Sequence, residues 1–381
     1  MRGNGAKWPA LVALLLVLGA LTWWRHFSTP SNTGLAPAPQ TIANKTLPVA
    51  TETKQTVEQW LRSLASDLAV APTADQKREV LSRLPQTNSA LSTKDRSTGI
   101  RQFLDSRTDA STGQGFKIGG NGFLSEAPTL RAFLLDYLGR IDPAAAAEYA
   151  RVILSSKNSP DEWAVALRSL ALGDSSVGGR ELLQQKVAEM LTNSAWQQNP
   201  SVGYLESFDV AVHLGGTNFI PTLTGLVRSL DNQAVAHAAY LTLDRLVIRD
   251  PAAVLEVLGA DPDSMQGREL PRADYFARTD VRDPRQREIV EKYLLDPRIG
   301  SAELQQFADV FPNANFMISQ NLLTTSPTPD PSALTARDAE SLRVLQQWLA
   351  DPRFTRLRPQ LEKMKSRLEE FVRQASRPAQ N

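Results

Sequence analysis

The sequence predicts an all-α protein, built as an irregular array of antiparallel helical hairpins behind an N-terminal transmembrane helix. Three observations lead to this prediction. From about residue 51 onward, apolar residues recur at the i, i+3, i+4, i+7 spacing of a helix face. The alternation of apolar and polar residues that indicates a strand is almost absent. The dipeptide Asp-Pro recurs along the chain, and it favours the end of one helix and the start of the next.

The composition is that of a globular protein with balanced charge. The chain has 381 residues, of which 42% are hydrophobic and 22% charged, so it is long enough for two domains or one elongated array. Its 42 basic and 41 acidic side chains leave a formal charge of +1, and we therefore expect no nucleic-acid partner. The absence of cysteine excludes disulfides, thiolate metal sites and thiol nucleophiles.

Residues 1–27 predict a membrane anchor. An uncharged, largely apolar run extends over residues 8–24, with tryptophan near both ends, as suits the two interfaces of a bilayer. Cleavage after Ala20 would place the bulky Leu18 where a signal peptidase needs a small side chain. We therefore expect the segment to be retained as a single-pass signal anchor.

The residues that flank this run predict the orientation of the anchor. Arg2 and Lys7 precede it and favour a cytoplasmic N-terminus, although Arg25 and His26 follow it. The body of the protein is then extracytoplasmic, and periplasmic if the source is a bacterium. Residues 28–50 are rich in proline, and we expect them to form a disordered tether that holds the body away from the bilayer.

The remaining chain divides into parts by its residue pattern. Residues 51–111 predict a small helical unit, and residues 112–124 a glycine-rich connector. Residues 125–377 predict the main helical array, which a short tail at 378–381 follows. Two of the apolar stripes in the array are Leu130, Phe133, Leu134, Tyr137, Leu138 and Ile141, and Trp163, Ala166, Leu167, Leu170 and Ala171.

Asp-Pro dipeptides mark the predicted helix boundaries. Aspartate is a favoured N-cap, proline is tolerated at the first helical position, and the residue before proline is driven out of the helical region. The segments 293–299 and 348–354 share an aromatic residue, a leucine, Asp-Pro-Arg and an apolar residue, which indicates a repeated unit. The dipeptides begin at Asp142, Asp250, Asp261, Asp283, Asp296, Asp330 and Asp351.

This pattern resembles the HEAT and armadillo-like repeat superfamily over roughly residues 125–375. The resemblance rests on helix spacing and punctuation. The irregular spacing lacks the single period of about 34 to 47 residues that a regular solenoid shows. The resemblance implies a curved array with an extended binding surface, and it implies no particular reaction.

The glycine-rich segment has two interpretations. It can be a connector, or it can be a ligand loop in which bare backbone approaches an anion, Lys117 supplies charge and a helix starting at Ser125 supplies free N–H groups. The glycine spacing matches no phosphate-binding motif, which favours the connector. The residues of the possible ligand loop are Gly113, Gly115, Lys117, Gly119, Gly120 and Gly122.

Motifs for catalysis and metal binding are scarce. The histidines, His26, His213 and His237, form no close ligand pair, so we expect no metal and no cofactor. In the segment 203–211, a Glu-Ser pair followed by an aromatic residue resembles the helical lytic transglycosylases, which cleave cell-wall glycan. That resemblance implies that Glu206 is a general acid, although the Gly-Leu-Met-Gln that follows in that family is missing.

The C-terminal segment is locally basic. Leu361, Met364, Leu368 and Phe371 have the 3-4-3 spacing of a short coiled-coil seam. Because it covers fewer than three heptads, we favour a terminal helix that caps the array and keeps its charges in water over self-association. The alternative is a basic face for an acidic partner. That face would consist of Arg356, Lys363, Lys365, Arg367 and Arg373.

Taken together, these patterns favour a membrane-anchored interaction or scaffold module over an enzyme. The helical array is intact, catalytic motifs are missing, and we expect contact with a membrane through residues 8–24 and with a protein partner. The alternative is a helical cell-wall glycan-cleaving enzyme that uses Glu206. The sequence itself names neither the partner, the process nor the oligomeric state.

Overall fold

Helices dominate the computed structural model of the chain, which confirms the all-α prediction. The structure describes residues 56–87, 91–157, 159–229, 231–316, 318–325, 328 and 330–375. The predicted anchor, tether and tail lie outside these residues. Among the helices that are described, none is both long and apolar enough to cross a membrane.

Most of the helices are short, and they follow one another closely along the chain. The α-helices are α1 Val57–Val70, α2 Ala74–Thr87, α3 Thr93–Asp105, α4 Leu130–Ile141, α5 Pro143–Ile153, α6 Pro160–Gly173, α7 Val177–Leu191, α8 Ser194–Gln198, α9 Val202–Glu206, α10 Asp209–Leu214, α11 Ile220–Arg228, α12 Gln233–Arg249, α13 Pro251–Ala260, α14 Glu269–Phe276, α15 Pro284–Leu295, α16 Ser301–Val310, α17 Pro331–Ala350 and α18 Arg358–Ala375. Turns of 3-10 helix lie at Pro262–Met265 and Pro352–Leu357, and the strands are β1 Lys117–Ile118 and β2 Leu124–Glu126.

Helices that are neighbours in sequence pack against each other and share one hydrophobic core. Close pairs include α5 with α6, α11 with α12, and α17 with α18. The core extends from Val57 in α1 to Leu368 in α18, and contacts group residues 54–381 into one compact unit. The helices before the glycine-rich segment therefore bury their apolar faces together with those that follow it, since α3 packs on α4.

The structure confirms the predicted role of Asp-Pro at six of the seven sites. There the aspartate side chain accepts a hydrogen bond from a backbone N–H of the first turn, and proline occupies the first turn of the helix. The exception is Asp296, which ends α15 and pairs with Arg298. The six N-caps are Asp142, Asp250, Asp261, Asp283, Asp330 and Asp351.

The glycine-rich segment folds as a small antiparallel hairpin of β1 and β2. The expectation of a helix starting at Ser125 is wrong, because Ser125 belongs to β2 and α4 begins at Leu130 after the N-cap Thr129. The Lys117 ammonium lies 3.3 Å from the Glu126 carboxylate across the two strands, so its charge already has a partner. The backbone N–H of Gly119 donates to the carbonyl of Phe123 at 2.7 Å and closes the turn.

The basic residues near the C-terminus bind groups within the chain. Arg356 donates to the carbonyls of Leu294 and Asp296, at 3.2 and 2.7 Å, where α15 ends. Arg367 likewise donates to carbonyls of the last turn of α16 and of the residue after it, including that of Ala308 at 2.8 Å. Carboxylates engage the other three residues of the predicted basic face, which pair as Lys363 with Asp309, Lys365 with Glu362 and Glu369, and Arg373 with Glu370.

The residues of the predicted basic face therefore have partners within the chain, and their contact with an acidic partner stays a prediction. A helix leaves its last four carbonyls without partners inside the helix, and arginine is well suited to satisfy them because it carries several N–H donors. The interpretation of α18 as a packed terminal helix agrees with the burial of Leu361, Met364 and Leu368.

We expect Arg367→Met to destabilise the fold by about 2 to 3 kcal/mol, because the charged donor is lost and several carbonyls lose their partner. The measurement is the free energy of unfolding of the full-length protein in detergent micelles, obtained by urea titration. The matched control is Arg373→Met on the same helix, whose exposed ion pair should be worth less than about 0.5 kcal/mol. Equal losses for the two variants would contradict the assigned role of Arg367.

Candidate functional site

A groove with a volume of about 1180 Å³ is the main candidate site in the described part of the chain. It is lined by α9, α10 and α12, by the turn after α14, by residues 313–325, and by the first residues of α17. Sites for small molecules have volumes of about 300 to 1000 Å³, so this groove is large enough for an extended ligand.

Helix α12 forms one wall because its sequence is amphipathic. The side chain of Asn232 accepts hydrogen bonds from the backbone N–H groups of the first turn and fixes the start of the helix. One face, which includes Val235, Ala239, Leu243, Leu246 and Val247, is buried in the core. Residues on the opposite face recur every three or four positions and line the groove, namely His237, Leu241, Arg245 and Ile248.

Aromatic and apolar side chains give the groove a contact surface. The ring of His237 stacks on Tyr240 with 6.2 Å between centroids, and Tyr240 stacks on Tyr275 at 5.5 Å. Phe316 and Ile248 are 44% and 40% exposed, although both are apolar. Exposed apolar groups within a concave surface are typical of sites that bind another molecule.

The opposing segment, which the structure describes at residues 313–316 and 318–325, is fixed near both ends, and we call it the strap. At one end, the backbone N–H of Asn313 donates to the carbonyl of Ala277 at 2.7 Å. At the other end, the N–H groups of Leu323 and Thr324 donate to one oxygen of the Asp209 carboxylate, at 2.7 and 3.0 Å. The strap therefore has a defined position beside the groove without belonging to a helix.

Asp209, at the start of α10, is the central residue of this attachment. It is 3% exposed, and its second carboxylate oxygen pairs with the guanidinium of Arg245 at 2.8 Å and accepts the hydroxyl of Thr324. Both oxygens of this buried carboxylate are therefore satisfied, which is what its burial requires.

The glycine-rich hairpin supports the strap and does not line the groove. Gly122 has a φ of +78°, and a Cβ atom at this position would lie 2.7 Å from the carbonyl oxygen of Leu322 in the strap. The buried guanidinium of Arg168 donates to the carbonyl of Gly122 at 2.9 Å and pairs with Asp136 at 2.7 Å. Of the six residues proposed as a ligand loop, Gly122 makes a close structural contact at which only glycine fits, and Lys117 pairs with Glu126.

The charged groups that line the groove are almost all satisfied within the chain. Five carboxylates and five guanidinium groups line it, and all but one of them have an ion pair or hydrogen bond in the described residues. The exception is Glu206, whose side chain has neither among those residues. The satisfied groups are Asp209, Asp244, Asp280, Asp330, Arg245, Arg249, Arg278, Arg282 and Arg337.

Glu206, the last residue of α9, is half-buried at the edge of the groove. Burial raises the pKa of its carboxyl group, the charge of Asp209 raises it further, and Arg245 lowers it. The ionised carboxylate is therefore poorly compensated. A ligand can use this group in two ways: a cation or hydrogen-bond donor of the ligand compensates the ionised carboxylate, or a basic atom of the ligand takes the proton of the neutral acid.

The histidines have different surroundings. His237 lies in the groove, whereas His213, in α10, does not line it, and burial lowers the pKa of His213. Within the described residues, no group of three or more His, Asp and Glu side chains could hold a metal ion.

Sequence reasoning identified Glu206 and missed the rest of the site. The residue pattern predicted helices in this part of the chain, but it could not show that a helix face with His237, Leu241 and Arg245 borders a groove. Nothing local in the sequence connects the strap to Asp209, which lies 114 residues before Leu323.

We expect Asp209→Ala to release the strap, because two backbone N–H groups and Arg245 lose their acceptor. The measurement is hydrogen exchange at Leu323 and Thr324, which should become at least tenfold faster, with a loss of about 3 kcal/mol in the free energy of unfolding. The exposed Asp263→Ala provides the control, with less than about 0.5 kcal/mol lost. Unchanged exchange at both amides would show that Asp209 does not hold the strap.

Comparison with known proteins supplies no relative from which a function could be transferred. Neither a protein-family model, a curated protein nor a solved structure matches the chain. Any assignment of function to this protein therefore depends on the chemistry of the groove and of the residues that surround it.

Proposed function

We propose that this protein is a membrane-tethered binding module that holds an extended segment of a partner protein in the groove beside α12. The observation that carries the proposal is the groove itself, a space of about 1180 Å³ between a fixed strap and an amphipathic helix. An extended peptide needs such a long concave surface, with pockets for side chains and polar groups along its edges.

The contact surface of the groove supports a protein ligand. Phe316, Ile248, Tyr240 and His237 provide apolar and aromatic area, and aromatic residues are enriched where proteins bind each other. Polar side chains of the strap, such as Asn315 and Gln320, line the same groove and offer hydrogen bonds to a peptide backbone. The walls are fixed by internal hydrogen bonds, so little conformational entropy is lost on binding.

The N-terminal sequence supports the proposed location of the protein, with its body tethered to a membrane. An apolar run at residues 8–24 and a proline-rich stretch at 28–50 favour a body held at some distance from a bilayer on the extracytoplasmic side. Tethering raises the effective concentration of the groove near membrane-associated partners. A modest affinity would therefore suffice for function.

We expect a photo-reactive benzoyl-phenylalanine at position 316 to crosslink to one abundant partner in cells that express the full-length protein. The matched control is the same residue at position 371, because Phe316 and Phe371 are 44% and 45% exposed and only Phe316 lines the groove. The readout is mass spectrometry of the adducts. Adducts with the same proteins at both positions, or no adduct at position 316, would contradict the proposed groove function.

A second function is favoured by one observation, the unpaired and half-buried carboxyl group of Glu206. Because burial raises its pKa, this group holds a proton more readily than an exposed glutamate and can protonate a leaving oxygen. The protein would then be a helical enzyme that cleaves cell-wall glycan. The volume of the groove, about 1180 Å³, also suits a segment of a polymer.

For this second function we expect Glu206→Gln to reduce glycan cleavage at least 100-fold, measured as release of soluble fragments from purified cell wall. The substitution should leave the fold intact. The folded-state pKa of Glu206 is raised, so its ionised form lowers stability at neutral pH, and removing the charge cannot lower stability there. Turnover that is equal in the wild-type protein and the variant, or absent in both, would exclude Glu206 as a catalytic acid.

A further inference from the structure

We propose that the partner segment carries a lysine or arginine side chain that forms an ion pair with Glu206 in the groove. This inference rests on the proposed binding function and specifies the chemistry of the ligand. It starts from the contrast between Glu206 and every other charged side chain that lines the groove, because only Glu206 lacks an ion pair or hydrogen bond among the described residues.

The arginines of the groove are already engaged elsewhere. Arg245 pairs with Asp209 at 2.8 Å and also donates to the hydroxyl of Thr324. Arg249 donates to the carbonyl of Val212 at 2.9 Å. Either arginine would have to give up a partner within the fold to reach Glu206, so the missing positive charge has to come from the ligand.

The position of Glu206 makes such a pair stronger than a pair on the open surface. The carboxylate is half-buried, so it has already lost part of its hydration when the groove is empty. A cation that enters the groove interacts with it in a medium of lower effective dielectric than water, and the hydrogen bonds formed are charge-assisted.

The alternatives are less favourable. A neutral segment would cover Glu206 and remove more of its water without a compensating charge, which destabilises the complex. An acidic segment would be repelled by Glu206, and three of the five groove arginines already pair with Asp209, Asp244 and Asp280, while Arg249 and Arg337 donate to backbone carbonyls. Beside Glu206, the groove therefore selects against acidic side chains and favours basic ones.

The other side chains of the groove suit a long cationic residue. Leu205 and Leu241 are partly buried and line the groove together with Glu206. The aliphatic stem of a lysine or arginine can pack on such apolar groups while its charged end reaches a carboxylate. The rings of Tyr240 and His237 add aromatic surface, on which a guanidinium group stacks favourably.

The test is selection of random twelve-residue peptides displayed on phage, with the full-length protein in lipid nanodiscs as bait. Groove-specific peptides are those that bind the wild-type protein and Phe371→Ala but bind Phe316→Ala at least tenfold more weakly. We expect these peptides to be enriched in lysine or arginine next to apolar residues. Replacing that basic residue by glutamine should weaken binding roughly tenfold to the wild-type protein and hardly at all to Glu206→Gln.

The possible results of this selection distinguish failure of the ion pair with Glu206 from failure of the binding function of the groove. Two results would overturn the ion pair and leave the binding function standing. One is that the groove-specific peptides lack basic residues. The other is that loss of the basic residue weakens binding equally for the wild-type protein and Glu206→Gln. A selection that yields no groove-specific peptide would count against the binding function itself. A charge reversal, Glu206→Lys, should favour acidic peptides in the same selection, and continued preference for basic ones would also overturn the ion pair.

Discussion

A chain of many short helices has to satisfy the backbone groups at many helix ends, and this constraint organises the whole structure. Each end leaves up to four N–H or carbonyl groups without a partner in the helix, and in a packed array many of them are shielded from water. Aspartate caps six of the described N-terminal ends through Asp-Pro, and serine, threonine or asparagine caps others. Arginine from a distant part of the chain satisfies several C-terminal ends, as Arg131 does for Leu104 at 2.5 Å and Arg180 for Leu214 at 2.8 Å.

This pairing explains why the number of charged residues in the chain indicates little about its function. Much of the balance between 42 basic and 41 acidic residues is used inside the fold, where arginines and aspartates hold helix ends and loops in place. The groove follows the same rule. Its strap has no regular secondary structure, yet Asp209 and Ala277 accept its backbone N–H groups and give it a fixed position. Because nearly every charged group that lines the groove has a partner within the chain, the unpaired carboxylate of Glu206 indicates a position at which a ligand can bind.

The sequence predicted the features that depend on neighbouring residues. Helix periodicity and the Asp-Pro boundaries depend on residues close in sequence, so both were predicted correctly. Asp296 is the exception among the Asp-Pro sites, because the chain turns after it instead of starting a helix at once. Contacts between distant residues could not be predicted. Spacing along α18 cannot show that carbonyls at the end of α16 accept from Arg367. The groove could not be foreseen, because Asp209 meets Leu323 across 114 residues of chain.

Glu206 and Asp209 are acidic residues only three positions apart in sequence, yet their carboxylates have different roles in the fold. Asp209 is buried and surrounded by donors from the strap and from Arg245, so its charge is used for structure. Glu206 is half-buried without a donor, and a carboxylate left in this state lowers the stability of the empty protein. A ligand that pairs with it removes this cost and by mass action stabilises the folded protein that holds the groove open.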